Sequence, residues 1–580
     1  MLTLHASLPL AVATPLLGGA LSPLLARLHQ RLALLSGMLS MLVAAAVLGT
    51  AALRIHQRDQ ALVEFFSNER PISGRVLGIA FVADPFGITF ASLTALLGFF
   101  LFSALLSEFD EIGPKELGGL AALCQLLLAS LIAAALTADS INLFVWFEVA
   151  ALSSYGLTGF FLERPIALEA AFKMAVLTSM AGFAVFVGAA LLYSDKGALN
   201  FGQLHLALSA RQLDRPVLLG FALLLAGFAT KAGLAPFHGW LPDAHTPVPG
   251  AVSALFSGLM VNLGVVGLVR LGIQVFPNHG HRMLGLLTGL GVISTLLGAL
   301  LALVQDDLKR LLAWDTVSQM GLLLVGFASS TPEGTAGAVL HLVNHALFKG
   351  LLFLCAGAVV HATGVTTLSE MGGILQRRPL LAMAFTAGVL SIAGVPCFNG
   401  YVSLDLIHAG LEQQPLVLWL ARLAQVITVA ALFRSAYLGF LRRRTEPYER
   451  FEPPRLGMRI IVVSLAGLCL ALGLFGHSIV RLIAAPAAGT LLHPDVYATL
   501  ALGRSVRLPV PPVEFSYFGA KALVPALVEL LLGTLLCLLA LRWKTPAPLR
   551  VLRRLHTGSV NDYAMLLAGG TAFCAFVLLV

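Results

Sequence analysis

Apolar runs about twenty residues long recur throughout this chain and leave it few folds to choose from. At a helical rise of about 1.5 Å per residue, twenty residues cover the roughly 30 Å of hydrocarbon in a bilayer. No water-soluble core can hide that many such runs. In lipid, the backbone amides of each run must be satisfied within the run itself, which predicts α-helices. Composition agrees: 58% of residues are hydrophobic and 11% charged, where soluble domains carry about a quarter charged. The expected fold class is all-α, a polytopic membrane protein with about 14–16 transmembrane helices.

Hydropathy places about sixteen spans, at 7–27, 33–53, 80–106, 118–138, 140–162, 168–193, 216–240, 248–276, 283–304, 309–329, 336–361, 379–412, 414–441, 459–484, 521–542 and 562–580. The N-terminus has no basic head before its apolar stretch, so it is expected to be a retained first helix. Basic residues fall between the runs. Arg27 and Arg31, Lys309 and Arg310, Arg377 and Arg378, the run Arg442 to Arg444, and Arg550, Arg553 and Arg554 all lie in odd-numbered loops. Arg54, Arg58, Arg70 and Arg75 share one longer even-numbered loop. The positive-inside rule then predicts cytoplasmic odd loops and both termini on the outer (periplasmic) side, for a chain expected in the inner (plasma) membrane. The net charge of +8 is accounted for by these flanks, with no aromatic-interleaved groove for nucleic acid. The six cysteines lie in or beside apolar runs without a CxxC pair, which favours packing over iron–sulfur or zinc ligation.

Two segments repeat. AGLAPFHGW, from Ala232 to Trp240, is matched by AGVPCFNGY, from Ala393 to Tyr401, and one span earlier AFK ending at Lys173 is matched by LFK ending at Lys349. Both matches are five helices apart, and an odd number of helices inverts the second copy. The expected organisation is residues 1–115 as helices 1–3, 116–278 as a first five-helix repeat, 279–445 as a second, and 446–580 as helices 14–16. Pro236 and Pro396 predict that the seventh and twelfth helices are broken. Backbone freed by such a break must line a cavity or pack in protein.

Charged residues within the spans carry the functional signal, since each costs roughly 2.5–3.5 kcal/mol to insert at mid-helix. Glu148 lies in the fifth span and Lys231 in the seventh. Desolvation disfavours the charged form of each, whereas together they stabilise one another. The pair is either a switch or a static ion pair. His341, His345 and Lys349 recur every four residues on one face of the eleventh span, the pattern of a wetted proton path. Lys173 sits inside the sixth span and is free to pair or snorkel. His238, Asp243 and His245 are expected at a channel mouth, and Asp405 at an exit. Asp306, Asp307, Lys309 and Arg310 read as a solvated face. No iron–sulfur, haem or nucleotide motif is present, so neither cofactor nor metal is expected.

WFEVAALSSYGLTGF, GFATKAGLAPFHGWLPDAHTPVPGAVSALFSGLM, LKRLLAWDTVSQMG and NHALFKGLLFLCAG together resemble the antiporter-like membrane subunits of respiratory complex I. The resemblance extends to formate hydrogenlyase and other membrane-bound hydrogenases, with multisubunit Na+/H+ antiporters nearby, and runs from about residue 85 to 445. It implies two inverted repeats, a hydrated axis of charged residues, a Glu148–Lys231 pair, and Lys349 on a second half-channel. Two departures stand out. Asn262 in MVNLG occupies a place where the family carries lysine or histidine. Leu404 follows the VS pair where the family carries lysine or glutamate, and Asp405 lies about 100° further around the helix.

The function expected is proton translocation in a larger respiratory complex, driven by a soluble redox partner and other membrane subunits, with exit near Asp405 or His408. The rival expectations are a cation/proton antiporter, an ion-driven subunit of inorganic-carbon uptake, and a structural subunit that no longer conducts.

Overall fold

The computed structural model describes residues 8–66, 71, 75–108, 113–209, 213–276, 280–444, 448, 454–517, 519–542 and 557–579. Arg70, Arg550, Arg553 and Arg554, read above as topology signals, lie outside the described residues. Among the described residues, fifteen helices are long and apolar enough to cross a membrane. A sixteenth crossing is made in two pieces, Pro379–Ile392 and Asn399–Gly410. The protein is a multi-pass membrane protein of the expected class. One feature was not expected: a two-stranded antiparallel hairpin pairing Leu62–Phe65 with Ala80–Ala83 in the second loop.

Helix ends follow local chemistry. Asp139 caps the fifth span, Ser140–Thr158, by accepting from the Asn142 amide at 2.8 Å. Thr331 caps the eleventh, Pro332–Thr363, with proline at the first turn and Gly364 at its end. Helices approach closely through small residues. A methyl group on Gly188 of the sixth span, Pro165–Lys196, would lie 2.6 Å from the Gly220 carbonyl of the seventh, Arg215–Ala232.

The seventh and twelfth spans break in the same way. Gly233 and Gly394 adopt left-handed backbones, φ +69° and +73°. In the first, the Gly233, Leu234 and Phe237 amides bond to the Thr230, Ala229 and Leu234 carbonyls. In the second, Gly394, Val395 and Phe398 bond to Ser391, Leu390 and Val395 at the same offsets. The two prolines stand one residue out of register, Pro236 opposite Cys397 and Pro396 opposite Ala235. The shared device is thus the glycine-ended turn, with proline close by.

The loops sort onto two faces. Glu169 and Lys173 near the start of the sixth span, Asp243 after the seventh, Arg310 in the first turn of the tenth and Gly558 before the last all line one cavity. Arg377 and Arg444 both lie over the Tyr448 ring, so the eleventh and thirteenth loops meet on that face too. On the opposite face, Arg270 at the end of the eighth span, Gly250–Val275, forms a buried ion pair with Asp84 before the third. Thr490 and Gln274 complete that knot, and Gln274 accepts from Arg270 at 2.7 Å. It ties the N-terminal helices, the first repeat and residues 485–501 together.

Candidate functional site

The seventh span ends at its break with Lys231 fully buried as its penultimate residue. Its Nζ has no hydrogen-bond partner and lies 5.3 Å from the centre of the Phe147 ring, within cation–π range. Phe147 precedes Glu148, whose Oε1 is also buried without a hydrogen bond. Gly182 makes the room: a methyl group there would overlap that oxygen. The two charges act on each other through space without direct contact. The structure therefore brings the expected partners within electrostatic reach of one another without a direct ion pair.

Lys173 is buried and engaged. It meets Glu169 Oε1 at 2.6 Å and Asp243 Oδ2 at 3.1 Å, and Arg310 reaches the other Asp243 oxygen at 3.2 Å. These groups, Asp243 among them, line the cavity of about 260 Å³ noted above. His238 stands behind it, 5.2 Å from the Trp314 ring. His245 differs from expectation. It is fully buried, stacked on Phe353 of the eleventh span at 4.7 Å, with Lys349 and Lys309 as its nearest charges. The chain doubles back after Trp240 and carries it inward. The expected solvated face at 306–310 is corrected at one residue: Asp306, Asp307 and Arg310 line an open cavity, whereas Lys309 turns inside. Lys309 is buried and donates to the Val248 carbonyl at 2.7 Å, Asp307 caps the tenth span, Leu308–Ala328, and Asp306 pairs with Arg434. The loop leading into the eighth span supplies the carbonyl that holds Lys309, which no local pattern could reveal.

Lys349 is held firmly. Its Nζ donates to Asp315 Oδ2 at 2.6 Å and to the Leu312 carbonyl at 2.7 Å, with both side chains buried. Sequence reading missed Asp315, although it is a carboxylate in mid-span like Glu148. From Asp315 a polar run continues: Gln319 at 3.4 Å, then His341 at 2.9 Å, then Ser403 of the second half of the twelfth span at 3.0 Å. Asn344 also donates to Ser403. His345, fully buried between His341 and Lys349, has both ring nitrogens unpartnered and its ring edge-on to Phe348. Asp405 is half-buried beyond Ser403, and the buried His408 follows one turn later. Among the described residues, no group of three or more His, Cys, Asp or Glu side chains is placed to hold a metal ion.

The eighth span lies between the two lysines. A methyl group on Gly264 would lie 2.3 Å from the Ala232 amide, next to Lys231. One on Gly258 would lie 3.0 Å from the Ala346 carbonyl, next to His345. Ser257 meets Thr316, next to Asp315, at 2.7 Å. Asn262 sits on this helix, fully buried, donating to Gly258 and leaving its Oδ1 unpartnered. It can take part in hydrogen bonding but stores no proton.

Residues 137–428 match the family described as NADH:quinone oxidoreductase/Mrp antiporter, TM. The chain is 30% identical over 508 residues to the D-type subunit of the Na(+)/H(+) antiporter of Alkalihalophilus pseudofirmus, covering 84% of this chain and 97% of that protein. It is 32% identical to the N-type subunit of the NADH-quinone oxidoreductase of Desulforudis audaxviator, covering 70% and 83% respectively. Among solved structures, a component of the Mrp complex from Dietzia sp. DQ12-45-1b superposes with a TM-score of 0.74 at 27% identity, over 87% of this chain and all of that one. With this agreement of sequence, architecture and buried charge, the chain belongs to the NADH:quinone oxidoreductase/Mrp antiporter membrane family, as an antiporter-like subunit.

Proposed function

We propose that this chain translocates protons across the inner membrane as one subunit of a multisubunit respiratory complex, powered by redox chemistry in a soluble partner. One observation carries the reading: charged and polar side chains run through the bundle interior from Glu148 and Lys231 to Lys349, Asp315 and the twelfth span. In this reading a proton reaches Lys231 from the cavity lined by Lys173 and Asp243. It crosses beside the eighth span by water and His345 to Lys349. It leaves past Asp405 and His408 on the face we assign to the outside, where both termini also lie. Residues 116–278 and 279–445 act as the two inverted halves. Moving one charge against 100 mV costs about 2.3 kcal/mol, which the partner must supply by changing the Glu148–Lys231 separation. Lys231→Ala is expected to stop proton uptake in vesicles containing the assembled complex. Wild-type uptake by that variant would refute the reading.

A second reading keeps the path and changes the driver: exchange of Na+ for protons without a redox partner. It is favoured by the 97% coverage of an Na(+)/H(+) antiporter component. Proton flux that follows an imposed sodium gradient, with no electron donor present, would establish it over the first.

A further inference from the structure

The fifteenth span, Ala520–Arg542, is largely open to lipid, yet it turns one glutamate inward. Its buried residues are Ala522, Glu529, Gly533 and Cys537, a spacing that gives a single stripe. The stripe faces the thirteenth span, where a methyl group on Gly533 would strike Val429. Glu529 lies about 13 Å along the helix from its start, at 1.5 Å per residue, and is 8% exposed. A carboxylate at that depth is costly to insert, and intramembrane carboxylates characteristically mark ion paths.

Its surroundings connect it to the second half of the path. Arg422 Nε stands 3.6 Å and His408 Nδ1 3.9 Å from Glu529 Oε1, and the charge of Asp405 also acts on it. None of these approaches is a hydrogen bond: Glu529 Oε1, Arg422 Nε and His408 Nε2 are all buried and unpartnered. His408 lies within electrostatic reach of both Arg422 and His341, the latter standing on the polar run from Lys349. Leu404 shares a face with His408 at i+4 and offers no titratable group there.

We propose that Glu529, supplied by a helix outside the matched family region, is the terminal proton-exchange group of the second half, replacing the side chain that Leu404 lacks. The proposal rests on the conducting reading above. A proton passes from the His408 imidazolium to the Glu529 carboxylate, leaving a neutral ring and a neutral acid. The acid then releases it to water on the even-loop face, and the carboxylate returns to Arg422.

The test uses the full complex in proteoliposomes with a pH-sensitive dye. Glu529→Gln is expected to assemble and to lose at least about tenfold in flux, and adding Leu404→Glu to that variant to restore most of it. Glu529→Asp, which keeps the charge but lengthens the step from His408, is expected to fall about threefold. Wild-type flux in assembled Glu529→Gln or Glu529→Asp, or a double variant without recovery, would overturn the proposal. If Lys231→Ala stops flux while Glu529→Gln does not, only this inference falls. If neither changes flux, the conducting reading falls with it.

Discussion

The two halves of the molecule treat their buried lysines in opposite ways. Lys349 is tied to Asp315 at 2.6 Å and to a backbone carbonyl, with every contact direct. Lys231 makes no hydrogen bond, and the Phe147 ring lies beside it, next in the chain to Glu148. A tight buried pair has its desolvation offset by short contacts and resists change. A loose pair has no short contacts to break, so a displacement of either side chain meets little resistance. On the proposed reading, the first half is the element a partner moves and the second the element that keeps its geometry.

The largest effect should come from breaking the tight pair. Asp315→Ala strands the Lys349 ammonium in a fully buried site, and loss of one partner from such a pair typically costs about 3–5 kcal/mol. The variant is expected to lose thermal stability strongly in detergent, or to fail to accumulate in the membrane. A melting temperature close to wild type would show that Lys349 does not depend on this carboxylate.

The matching change in the first half should separate stability from function. Glu148→Gln removes a charge that touches no hydrogen-bond donor, so its stability cost should stay within about 1 kcal/mol, less than that for Asp315→Ala. Flux should nevertheless fall about tenfold, equivalent to about 1.4 kcal/mol on the barrier, because Lys231 loses the charge expected to control it. Equal destabilisation by the two variants would erase the distinction between the halves.

Much of this was legible in the chain itself. Helix number, both breaks and the five-helix offset follow from run length, proline, and the paired A-G and F-K motifs. Glu148, Lys231 and Lys349 stood out because charge inside an apolar run needs a reason. Asp315, Arg270 and Glu529 met the same criterion within their own spans, but their partners lie 34, 186 and 107 residues away. Such pairings are set by helix packing rather than by local pattern. The burial of Lys309 and the inward turn of His245 depend likewise on where a neighbouring loop folds back. The small hairpin escaped notice because strands of four residues scarcely differ from loop in composition.

The smallest effect is expected between the halves. Asn262 already has its amide committed to Gly258, so only its buried Oδ1 is unpartnered, on a span that packs against both Ala232 and Ala346. A lysine at this position would add a station able to hold a proton before His345, where the proposed path has only water. If that crossing limits the rate, Asn262→Lys should raise flux about threefold, a barrier change near 0.7 kcal/mol. The gain is bounded because the new ammonium lies between Lys231 and Lys349 and repels a proton on either. Unchanged flux in an assembled variant would place the slow step within the Glu148–Lys231 pair, and a sharp loss would mean that repulsion outweighs storage.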